Sequence, residues 1–180
     1  VLEVHLVEIS RDAGADVDRG VYAFGGNYKK GDFSLGAVNY YSDDIINIFY
    51  TEARYAVPLS EKTRLQFAAQ YTDQQSTGDD LLNGSDFSAD QYGLKGELGW
   101  GPALFSLAWT STGNETATQS PWSGYPGYTS VQVEDFNRAG EDAWMLRASY
   151  SFPNVPGLSA YALWVSGSDP ESATDDDYED

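Results

Sequence analysis

The chain contains no cysteine. A disulfide framework and a thiolate metal site are therefore both excluded. It has a single histidine, His5, so only one imidazole is on offer as a catalytic base. Basic residues are scarce, with 10 Lys and Arg against 28 Asp and Glu and a net charge of -18. Phosphate binding needs clustered Lys and Arg, so this balance argues against a nucleic-acid partner. It favours cations, cationic solutes or simple solubility. There is no run of about 18 apolar residues, and a membrane-spanning helix is not expected. A start methionine and a signal-peptide pattern are also missing, and Val1 opens directly in a strand-like pattern. On that basis the chain reads as a mature protein or an excised piece of one.

What the sequence does have is aromatic residues and a period of two. Its 180 residues suffice for one domain with a sizeable core, and 14% of them are aromatic, including 13 Tyr and 5 Trp. Tyr and Trp favour surfaces that are apolar on one side and wet on the other. From Leu65, the residues Phe67, Ala69 and Tyr71 alternate with Gln66, Gln70 and Thr72. The same alternation sets Tyr92, Leu94, Leu98 and Trp100 against Gln91, Lys95 and Glu97. It sets Trp144, Leu146, Ala148 and Tyr150 against Arg147, Ser149 and Ser151. Such segments are strands with one apolar and one polar face. About nine are expected, at roughly 1–9, 20–29, 32–42, 45–57, 63–74, 89–100, 103–112, 142–152 and 158–167.

The connections alternate between short and mostly long. Short ones fall at 29–32, 58–62, 100–102 and 153–157; the others fall at 10–19, 43–44, 75–88, 113–141 and after 167. All but six of the 28 acidic residues fall on the long-connection side, the six being Glu3, Glu8, Asp32, Glu52, Glu61 and Glu97. The apolar faces of the strands are almost free of charge. Trp100, Phe105 and Phe152 cluster beside short turns, and Trp109, Trp144 and Trp164 lie nearer the other end. Strands near ten residues, short turns on one side, long acidic loops on the other and two aromatic bands describe an antiparallel up-and-down transmembrane β-barrel of the outer-membrane kind. A soluble or surface β-sheet protein, binding a small ligand through its aromatics, shows the same alternation with the faces reversed. Parity alone does not say which face is inside. The many small residues on the polar faces, such as Gly93, Ser106 and Ala108, favour the membrane barrel. An odd strand number with no closing strand points to part of a longer barrel, because open edges are not tolerated in lipid.

Residues 120–144 read SPWSGYPGYTSVQVEDFNRAGEDAW. This stretch is too irregular for a helix or strand, and too rich in aromatics, glycine and proline for a slack linker. Together with PNVPGLSAY, and with GGNYKKGDFSLGAVNYYSDDI running into Tyr55-Ala56-Val57-Pro58-Leu59, it resembles the OprD family of outer-membrane porins. The likeness is continuous over most of residues 20–168, and FNRAGE is its most specific part. The resemblance implies an eighteen-stranded barrel, often a homotrimer, of which this chain covers the central-to-late half. It also implies an eyelet of inward-folded loops and passage of basic amino acids and peptides, or of small carboxylates. Outer-membrane lipid and lipopolysaccharide would surround the barrel.

The resemblance assigns residues 113–141 to the eyelet. Asp135, just before Phe136-Asn137-Arg138, corresponds to an aspartate that faces the positive end of the solute. Ser130 matches another eyelet position, and Tyr125 falls in the segment supplying a pocket tyrosine. Glu134 and Arg138 flank Asp135 in the same charged run. A bland alternative has Asp135 solvated, or paired with Arg138 as a brace. The family's basic ladder would lie mostly outside this chain. Facing inward by parity are Arg54, Arg64, Lys95 and Arg147, with Glu52 and Glu97 beside them, either lining the lumen wall or bracing it in cross-strand ion pairs.

Two further patterns carry less. Residues 11–20 hold Asp16 and Asp18 at alternate positions, but lack the sixth-position glycine and the closing glutamate of an EF-hand. Asp175, Asp176 and Asp177 read as an external acidic loop within 168–180, with weak divalent binding at most. His5 has no nucleophile motif near it, so no catalytic residue is nominated and no enzyme is expected. Neither metal nor cofactor is expected.

Overall fold

The computed structural model describes residues 2–10, 20–122 and 126–168, with only the backbone described for 2–10. Nine strands form one antiparallel sheet in strict chain order. They are β1 (Leu2–Ser10), β2 (Gly20–Lys30), β3 (Phe33–Ser42), β4 (Ile46–Ser60), β5 (Thr63–Gln75), β6 (Ser88–Trp100), β7 (Ala103–Thr112), β8 (Asp142–Ser151) and β9 (Ser159–Gly167). Each pairs with its sequence neighbours, the up-and-down order that the alternating connections demand. At two of the short turns Gly31 and Gly101 take φ of 58° and 54°, the left-handed region that glycine enters without a Cβ clash.

The sequence pattern ends β4 near residue 57, ahead of Pro58. The strand instead continues to Ser60, with Pro58 opposite Arg64 and a shift of register between Pro58 and Ser60. Proline has no N–H to give to a ladder, and such a shift is where a strand accommodates one.

Cross-strand register sorts the side chains of β2 to β9 onto two faces. One carries Phe24, Leu35, Tyr55, Phe67, Leu94, Leu107, Leu146 and Trp164, and all of these are exposed. The other carries Gln70, Thr72, Gln74, Gln91, Ser106, Thr110 and Thr112, and all of these are buried. Leu104, Tyr161 and Leu163 interrupt that polar face towards β9. In a soluble sheet the apolar face would be covered and the polar face open. Here the order is reversed, so the open apolar face requires a lipid solvent. This decides against the soluble alternative. Aromatic pairs mark both ends of that face: Tyr71 with Tyr92, centroids 4.8 Å apart, and Trp109 with Trp144 at 6.3 Å near the long loops. Tyr150 meets Phe152 at 5.1 Å beside a short turn.

The clustered apolar core gathers where β4 begins, at one end of the sheet. Ile45, Ile46 and Phe87 are buried together at the long-loop end, with Ile48, Leu81, Leu82 and Trp122 around them. The 76–87 loop is stitched to the neighbouring turn by Leu81 N to Asp44 O at 2.8 Å and by Thr77 Oγ1 to Ser42 O at 2.8 Å. The sheet has two edges, β1 and β9. In lipid their outward N–H and C=O groups need further strands as partners.

Candidate functional site: a loop clasped to the polar face

Residues 113–141 join β7 to β8, and their described parts, 113–122 and 126–141, lie over the polar face. A helix or strand holds its shape by internal backbone bonds. Among its described residues this segment has one isolated bridge, Val131 with Glu134, and a few scattered backbone bonds such as Thr118 N to Asn137 O at 3.1 Å and Gly140 N to Gly113 O at 2.9 Å, so side chains of the sheet add the further anchors. Gln74 on β5 takes both backbone groups of one loop residue: its Nε2 donates to Gln119 O at 2.9 Å and its Oε1 accepts from Gln119 N at 2.6 Å. Gln91 on β6 donates from Nε2 to Phe136 O at 3.2 Å and to Thr112 Oγ1 at 2.9 Å. Thr110 and Thr129 share a hydroxyl–hydroxyl bond of 2.6 Å. Within the loop, Asn137 Nδ2 donates to Thr118 O at 2.7 Å and ties its two arms together. Replacing Gln74 with Ala removes both halves of the first clasp, about 2 kcal/mol of anchoring. Limited proteolysis should then cut within 113–141 on the order of tenfold faster, with the barrel intact. An unchanged cutting rate would show that the clasp does not hold the loop.

At the base of the loop Glu141 is buried, with the Arg138 backbone N–H donating to its Oε2 at 3.0 Å and the Arg138 guanidinium to its Oε1 at 3.4 Å. Gly167 on β9 packs against this pair of elements. A Cβ there would meet Phe136 Cδ1 at 2.8 Å, so only glycine admits the close approach.

The acidic turn sits between these anchors. The Ser130 hydroxyl donates to Asp135 Oδ1 at 2.6 Å, and Val131 and Glu134 exchange backbone bonds of 2.9 and 3.3 Å. Val133 at the tip is 90% exposed. Phe136 follows at φ 53°, a region that bulky side chains rarely occupy. Strain of this kind persists only where the surroundings fix it, and Gln91 holds the Phe136 carbonyl.

Of the eyelet candidates, Ser130, Glu134 and Asp135 come together on this one turn. Arg138 does not brace Asp135; its guanidinium pairs with Glu141 instead, one turn of chain away. Tyr125 lies outside the described residues, as do 11–19 and 169–180. All six wall candidates share the covered polar face. Arg54 pairs with Glu52, whose other oxygen accepts from Tyr50 OH at 2.9 Å. Glu97 accepts from Gln66 Nε2 and Ser106 Oγ, both at 3.2 Å. Arg147 lies 4.6 Å over the Tyr161 ring, Lys95 lies 4.5 Å over the Tyr128 ring, and Arg64 is exposed. Beside Glu52 and Arg54 the wall is hollowed by about 590 Å³, with Asn27, Ser34 and Gly36 among its lining residues. Four residues that hold or shape the site carry no distinguishing mark in the sequence: Gln74, Gln91, Glu141 and Tyr128. Parity puts Gln74 and Gln91 on the polar face, which is the one signal that points to them.

Comparison with known proteins agrees with this arrangement. The family model described as outer membrane porin, OprD family, matches residues 3–179. No curated protein sequence matches. Among solved structures, OprD from Pseudomonas aeruginosa superposes with a TM-score of 0.81 at 22% identity, over 96% of this chain and 46% of that one. OpdL from the same organism gives 0.82 at 20% identity, over 97% and 48%. OccAB2 from Acinetobacter baumannii gives 0.71 at 18% identity, over 92% and 42%. The chain thus spans a little under half the length of these structures. A family match over nearly the whole chain, on a sheet whose apolar face is open and whose polar face is covered by a loop, places this chain in the outer membrane as a member of the OprD porin family.

Proposed function

We propose that the protein passes small hydrophilic solutes down their gradients across the outer membrane, and that residues 113–141 narrow its lumen as an eyelet. The observation that carries this reading is the turn at 130–135. It presents Glu134 and Asp135 from a loop clasped to the polar face by Gln74, Gln91 and Thr110. A pore wide enough for water selects solutes only where a loop constricts it and presents charge. The acidic turn favours basic amino acids and peptides over small carboxylates. The polar, mixed-charge wall of Glu52, Arg54, Arg64, Glu97 and Arg147 keeps the path wet. The chemistry is diffusive and calls for no covalent step and no cofactor.

Liposome swelling with the full-length porin tests the reading. Lysine and arginine should enter faster than glutamate of similar size. Swelling no faster than in protein-free vesicles would sink the channel, and faster entry of glutamate would sink the cationic preference. A homotrimer is one assembly that the resemblance allows, and native mass spectrometry of the full-length porin in detergent reads whether it forms.

A further inference from the structure

Lys95 projects from the middle of β6 onto the covered face, opposite Ala68 on β5 and Ala108 on β7. Both alanines are buried. The loop brings Tyr128 over Lys95. The Lys95 ammonium stands 4.5 Å from the centroid of that ring, within the range of a cation–π contact. The Tyr128 hydroxyl is buried without a partner among the described residues, and so are the Gln70 amide and the Thr72 hydroxyl on β5. What holds Tyr128 to the wall is therefore its ring face. Burial pushes its phenol well above the ordinary value, with Tyr50 adding to the shift, so the ring stays neutral at any working pH. A neutral ring over an ammonium hides the charge without cancelling it.

We propose that Tyr128 determines specificity by masking: its ring withholds the Lys95 ammonium from permeating solutes and leaves the electrostatics of the constriction to Asp135 and Glu134. This rests on the eyelet reading above. Lys95 is then a strut, although its position in the sequence marks it as a lumen cation. Uncovered, its charge would oppose the acidic turn across the same passage.

Reversal potentials of the full-length porin in a planar bilayer under a KCl gradient test this. Lys95→Met alone should shift the potential by much less than Tyr128→Ala does, and Tyr128→Phe, which keeps the ring, should leave it at the wild-type value. Tyr128→Ala should lower the cation-to-anion permeability ratio by about fivefold, the effect of one unit charge a few ångströms from the path. Tyr128→Ala combined with Lys95→Met should return to wild type. A shift from Lys95→Met as large as that from Tyr128→Ala would overturn the masking, because Lys95 would already face solutes. A double variant that stays as low as Tyr128→Ala would also overturn it, since the loop would simply have moved. Asp135→Asn in the same bilayers separates the two readings. If it shifts the potential and Tyr128→Ala does not, the masking fails and the eyelet stands. If neither shifts it, both fail.

Discussion

Replacing Leu146 with Arg will cost the folded barrel about 2–4 kcal/mol, the penalty of a cation near the bilayer midplane. Replacing its neighbour Arg147 with Leu will cost less than about 1 kcal/mol, the worth of an exposed cation–π contact. The two residues sit at the same depth on β8, one residue apart. Leu146 lies on the open apolar face between Trp144 and Tyr150, with Trp164 across from it on β9. Arg147 points to the other face, opposite Ser106 and over Tyr161. The asymmetry follows from the solvent on each side. Urea titration of the full-length porin in lipid vesicles, followed by the heat-dependent gel shift, measures it. Two small and equal costs would mean that water bathes both faces, and the lipid-facing assignment would fall.

Asp135→Asn will reduce the cation-to-anion permeability ratio of the full-length porin by about fivefold. Asn keeps an oxygen where the Ser130 hydroxyl now donates, so the turn persists and only the charge is lost. Asp135 is half-buried beside the exposed Glu134, and the strained Phe136 that follows fixes where both carboxylates point. Under the proposed eyelet reading, the carboxylate acts at short range on whatever passes. A reversal potential identical to the wild type would remove Asp135 from the conduction path and leave the acidic turn as surface.

The sheet was legible in the sequence because its signal repeats. Phe67 follows Gln66, Leu94 precedes Lys95, Leu107 follows Ser106 and Leu146 precedes Arg147, and a one-residue slip of β6 or β8 would put charge into lipid. Pro58 misled at the end of β4, since a residue that usually ends a ladder sits at an irregularity inside one. Ser130 and Asp135 were singled out through the resemblance and Glu134 by the charged run beside them; the three share one turn, with the Ser130 hydroxyl bonded to Asp135. The anchors were not singled out. A glutamine on a polar strand face looks the same whether it meets water or, as Gln74 does, the backbone of a residue 45 positions away. Arg138 has acidic neighbours at Glu134, Asp135 and Glu141, and only burial of Glu141 decides which one it takes. Tyr128 was one aromatic among many in a loop crowded with them.

Four of the clasps around the loop share one property. Gln74 grips the main chain of Gln119, Gln91 grips that of Phe136, Asn137 grips that of Thr118, and Thr116 bonds the carbonyl of Ser88. Each takes hold of atoms that every amino acid except proline provides in full. The side chain of Gln119 is thereby released from seating the loop on the sheet, whereas that of Thr118 stays buried. Evolution can rewrite the chemistry facing the channel one residue at a time without unseating the scaffold that presents it, so a protein of this build can change its diet while keeping its architecture.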